Sequence, residues 1–101
     1  MRLTSIQIEV FKQLAAEVFG PQAQVWLFGS RTDDQRRGGD IDLYITGFSQ
    51  TRPALPAAVD RFVVKAQQQL GEQRIDVVTA PVPGEPPLLI HRVAAETGIR
   101  L

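Results

Sequence analysis

A small mixed β-sheet with helices packed on it, an α/β domain in the order α-β-β-α-β-α, is what this sequence predicts, and three observations predict it. Three stretches carry apolar residues at helical spacing, three short runs are rich in β-branched and aromatic residues, and Gly or Pro separates most of them. At 101 residues the chain is long enough for one domain, spanning 1–101, with a real core.

The first helix starts at Thr4, an N-cap whose capping box is completed by Gln7. Ile6, Val10, Phe11, Leu14, Ala15 and Val18 give it an apolar stripe, and Gly20-Pro21 stops it. The first strand covers about Gln24 to Phe28 and ends in Gly29-Ser30. Arg31 to Gly39 is too polar and too rich in Arg and Gly to be buried, and a short helical turn near Ser30 is compatible with it. The second strand, about Asp40 to Thr46, opens on two carboxylates.

After a connection with two prolines, Leu55, Val59, Phe62, Val63, Ala66 and Leu70 mark the second helix, with Gly71 as its stop. Arg74 to Thr79 is the third strand. Pro81 to Pro87 is a stiff exposed loop. The last helix, about Pro87 to Thr97, uses Leu89, Ile90, Val93 and Ala94, with Gly98 as its cap.

Composition narrows the function. Eleven basic and eleven acidic residues cancel, so no global field gathers nucleic acid or an anionic membrane. The local cluster Arg31, Arg36 and Arg37 leaves room for phosphates or an acidic partner surface. The chain has no cysteine, which excludes disulfides, thiolate chemistry and Cys-based zinc sites. No apolar run approaches the roughly 20 residues of a membrane span, and Met1 to Val10 lacks a signal-peptide core. A soluble, cytoplasmic protein is the expectation.

The chemistry concentrates in Asp40, Asp42 and Asp76. Side chains alternate along a strand, so Asp40 and Asp42 share a face, roughly 7 Å apart along the backbone, while Ile41, Leu43 and Ile45 turn into the core. Asp76 is the one charge inside Ile75 to Val78, and it joins that face if its strand lies beside the second. Three such carboxylates repel one another unless a cation sits among them. Magnesium suits hard oxygen donors and is commonly held by carboxylates together with substrate phosphates. Two such ions roughly 4 Å apart grip the attacking and leaving oxygens of an in-line displacement.

The Gly29-Ser30 turn complements them. Glycine lets backbone amides approach a phosphate, and a serine opening a helical turn offers a hydroxyl and N–H groups. Arg31 adds charge-assisted hydrogen bonds. Each feature has a bland alternative: a common strand-end Gly-Ser, solvated charge at a strand start, or an ion pair of Asp76 with Arg74 or Arg92. Their combination points to a nucleotide site.

Phe28-Gly29-Ser30, followed by Gly39-Asp40-Ile41-Asp42-Leu43, resembles the signature of the nucleotidyltransferase fold shared with DNA polymerase beta. The short length is similar to its minimal nucleotidyltransferase branch, the antitoxin partners of HEPN ribonuclease toxins. Val93 to Ile99 resembles that branch's closing helix and glycine, though its frequent terminal tyrosine is absent. The resemblance implies transfer of AMP from ATP, with magnesium, to a tyrosine hydroxyl on the cognate toxin. Gly29, Ser30 and Arg31 would bind the nucleotide, and Asp40, Asp42 and Asp76 would be the catalytic metal ligands. Asp76 would also accept the proton of the attacking hydroxyl.

Two other readings stand beside it: an antitoxin that neutralises its partner by contact alone, and a transferase acting on a small molecule or RNA with a partner subunit. Homodimerisation is open. His91 reads as a surface or interface residue, Trp26, Phe28 and Tyr44 as packing residues, and Asp33, Asp34, Asp60, Glu72 and Glu85 as solvated charge.

Overall fold

The computed structural model describes residues 3–29 and 40–101, and in them a four-stranded mixed sheet carries three helices. The elements are α1 (Ser5–Phe19), β1 (Gln24–Phe28), β2 (Ile41–Thr46), a single 3₁₀ turn (Arg52–Ala54), α2 (Leu55–Leu70), β3 (Ile75–Thr79), α3 (Leu89–Thr97) and β4 (Ile99–Arg100). The helical turn expected near Ser30 lies outside the described residues. No helix among the described residues is long and apolar enough to cross a membrane.

Local chemistry sets the ends. Thr4 Oγ1 accepts the Gln7 N–H at 3.1 Å, and Gln7 Oε1 accepts the Thr4 N–H at 2.9 Å, so the capping box is formed. The prolines near the start of α2 fall where it can take them, one in the 3₁₀ turn and Pro56 in the first turn of the helix.

The sheet order is β3-β2-β1-β4. β1 pairs antiparallel with β2 and with β4, while β2 pairs parallel with β3. A parallel neighbour cannot be reached by a hairpin, and α2 provides the crossover. The expected order ended on a helix; β4 extends it by one strand. Ile99 and Arg100 pair with Leu27 and Trp26, a stretch too short to show alternation in the sequence.

One face of the sheet is sealed. Val25, Leu27, Ile41, Leu43, Ile45 and Ile75 pack under α1 and α2, where Phe11, Phe19 and Phe62 are fully buried. The rings of Phe11 and Phe19 lie 6.2 and 5.6 Å from Phe62, making one aromatic seam between the helices. Among the described residues, the opposite face is covered lightly. There Phe28, Tyr44 and Ala94 form a second small cluster with Trp26, Val78 and Ala80, and Trp26 Nε1 donates to Thr46 Oγ1 at 3.1 Å.

α3 departs from its expected packing. Only Ala94 is buried, while Leu89, Ile90 and Val93 stay exposed. The helix rests on the sheet through its smallest side chain, so its apolar periodicity does not mark a core face. His91 serves the helix itself: its Nδ1 accepts the Leu88 N–H at 2.9 Å, which satisfies a donor at the N-terminus. Glu85 also does more than carry solvated charge. It pairs with Arg52 and accepts the Val82 N–H at 3.1 Å, closing the proline-rich loop onto the 3₁₀ turn.

Candidate active site: a carboxylate face at the start of two strands

The parallel register of β2 and β3 builds the site. Ile41 lies opposite Ile75 and Asp42 opposite Asp76, so the two aspartates are direct lateral neighbours on one face. That face is the one opposite the main core, because Ile41 and Leu43, on either side of Asp42, are fully buried. Asp40, just before β2, shares its parity. Asp40 and Asp76 are each about half exposed, at 47% and 48% of the side chain.

Asp42 feels the charge of its two neighbours. The Asp42 carboxyl is pushed above the ordinary 3.8 first by burial, then by the charges of Asp76 and Asp40, with Arg74 acting in the opposite direction. Arg74 Nε stands 3.6 Å from Asp76 Oδ2 and 3.9 Å from Asp40 Oδ2. The ion pair weighed as the alternative fate of Asp76 is thus present, and it extends to Asp40. Among the described residues, no group of three His, Cys, Asp or Glu side chains is arranged as it stands to hold one metal ion.

β1 brings the glycine turn to the same place. Phe28 lies opposite Asp42 in the antiparallel ladder, so Gly29 leaves the sheet beside the Asp42 carboxylate. Gly29 has φ +77, and a Cβ there would fall inside van der Waals contact of Asp42 Oδ2 and 3.2 Å from its Cγ. Any side chain at position 29 would occupy the space into which Asp42 projects. Ser30 and Arg31, the other two nucleotide-binding candidates, lie outside the described residues.

A clear expectation follows for Gly29→Ala. The left-handed backbone costs an L-residue about 1–2 kcal/mol, and the methyl must also displace Asp42. Gly84, at φ +93 in the Val82–Glu85 turn with nothing within 4 Å, provides the control, because Gly84→Ala carries the strain of a positive φ without a clash. Urea unfolding should place Gly29→Ala below Gly84→Ala in stability. Equal losses would show that the space beside Asp42 is not needed.

Arg74 is the site residue whose part sequence reasoning drew only as an alternative. Its signal was present, since it sits two residues before Asp76 and therefore on the same side of that chain segment.

No protein-family model matches this chain, and no curated protein matches it.

Proposed function

We propose that this chain is a magnesium-dependent nucleotidyltransferase with the DNA polymerase beta type of fold, acting as an antitoxin that transfers AMP from ATP to a tyrosine hydroxyl of a HEPN-type toxin. One observation carries the reading: Asp42 and Asp76 stand side by side with Asp40 on the lightly covered face of the sheet, next to the Gly29 turn. Sheet and helix order are compatible with that fold. The choice of ATP and of a tyrosine acceptor comes from the motif resemblance.

The donor set suits magnesium. It is made of hard carboxylate oxygens, with no nitrogen or sulfur donor among the three, and two of its members are open to solvent. Asp40, Asp42 and Asp76 would hold the metal, which when bound supplies charge neutralisation at the phosphates. Gly29 admits the triphosphate close to the backbone, and Ser30 and Arg31 would hydrogen-bond its oxygens. Asp76 takes the proton from the acceptor hydroxyl. The new bond joins that oxygen to the α-phosphorus, the bond from the α-phosphorus to the bridging oxygen breaks, and pyrophosphate leaves. The acceptor's surroundings would come from the partner protein.

Isothermal titration of ATP with magnesium tests the site directly. The wild type should give metal-dependent heat that disappears in Asp40→Ala/Asp42→Ala, and a candidate toxin should then gain the mass of AMP on incubation with ATP. Heat without any mass gain favours neutralisation by contact. Absence of heat both alone and with the partner present would overturn the nucleotide site.

A further inference from the structure

Arg74 combines a fixed backbone with a loosely held side chain. Its carbonyl accepts the Ile41 N–H at 2.9 Å, a bond at the mouth of the β2–β3 ladder. That hydrogen bond anchors the residue beside the carboxylates. The guanidinium is different. Its approaches to Asp76 and Asp40 are both longer than a hydrogen bond, and 72% of the side chain is exposed.

Exposed pairs of this geometry contribute little to folding, and the position of this one is more informative than its strength. It links the two outer carboxylates of the trio, where a divalent cation serving all three would also have to sit. An ammonium or guanidinium and a metal cannot both neutralise the same oxygens at full strength, so the two compete.

We propose that Arg74 is the displaceable counter-ion of this site, holding Asp40 and Asp76 in the metal-free protein and releasing them when a divalent cation binds. This rests on the reading of the three aspartates as metal ligands. The arrangement keeps a repelling cluster compatible with the fold before metal arrives, and it weakens the metal's hold by the cost of moving Arg74 aside. Arg74 is a positioning residue, because it acts through the two carboxylates. Its long stem leaves the backbone hydrogen bond to Ile41 undisturbed as the head group moves.

The test uses Mn²⁺ alone, without nucleotide, titrated into the full chain and followed by electron paramagnetic resonance of the free ion. Arg74→Gln should bind Mn²⁺ roughly threefold to tenfold more tightly than the wild type, the effect of removing one competing charge at a largely exposed site. Arg74→Lys should return the affinity towards the wild-type value, and Asp42→Asn should abolish the tight binding in either background. Equal or weaker binding in Arg74→Gln, with the wild type binding Mn²⁺, would overturn the counter-ion role while leaving the carboxylates as ligands. Failure of both proteins to bind Mn²⁺ would overturn the counter-ion role together with the metal reading beneath it.

Discussion

Asp42→Asn is expected to raise the melting temperature at pH 7 while removing most of the nucleotidyl transfer proposed above. The Asp42 carboxyl is held above 3.8 by burial and by the neighbouring charges of Asp76 and Asp40. A carboxyl whose pKa is higher in the folded than in the unfolded chain holds its proton more tightly in the fold, so ionising it lowers stability. The cost is absent well below 3.8. It grows as the pH rises between that value and the raised folded value, and is fully present at neutral pH. Solvent screens this partly exposed group, which limits the effect to about 0.5–1 kcal/mol, or roughly 2–6 °C for a domain of this size. Thermal unfolding should therefore separate wild type and variant at pH 7 and bring them together near pH 3. On the proposed function, transfer activity should fall on the order of 10³-fold, since a metal held by these carboxylates would supply several kcal/mol of charge stabilisation. A variant less stable than the wild type at pH 7 would show that Asp42 stabilises the fold.

The largest loss of stability is expected at Phe62, far from that chemistry. Its ring is fully buried between Phe11 and Phe19 and joins α2 to α1 above the sealed face of the sheet. Truncation to alanine removes the transfer free energy of the ring and leaves a cavity, costing about 3–5 kcal/mol. For a domain whose total stability is about 5–15 kcal/mol, that is a large fraction. The melting temperature of Phe62→Ala should drop by roughly 12 °C or more, with Phe62→Leu losing distinctly less. A small change in Phe62→Ala would mean that the helices can close over the gap.

The sequence made much of this legible, for physical reasons that can be named. β1 runs from Gln24 to Phe28, as its aromatic and β-branched content implies, because it is bounded by Gly20-Pro21 and Gly29. α1 begins where the Thr4–Gln7 box places it, and α2 runs from Leu55 to the residue before Gly71. Alternation along β2 assigns Ile41, Leu43 and Ile45 to the core and turns Asp42 away from it. Those are local signals.

What the sequence hid depends on partners distant along the chain. β4 is a strand only because β1 offers it an edge, and two residues carry no periodicity of their own. The apolar positions of α3 suggest a buried face, yet the helix has only a light seat on the second side of the sheet, and Leu89, Ile90 and Val93 remain in solvent. The adjacency of Asp42 and Asp76 was conditional on strand order, which no local pattern states. The reach of Arg74 to Asp40 needed the register itself.

The parallel pairing of β2 with β3 also ties the site to the folding reaction. Asp42 and Asp76 are separated along the chain by the whole of α2, and nothing short of docking that helix and zipping a non-local ladder brings them together. The β1–β2 pairing can form early as a comparatively local antiparallel contact, and it carries Asp40, Asp42 and Gly29 without Asp76. A partly folded or partly degraded chain would therefore present an incomplete set of carboxylates. On the proposed reading, competence to bind ligand at this face is in that sense a certificate of the finished fold, issued only when the last long-range contacts have closed.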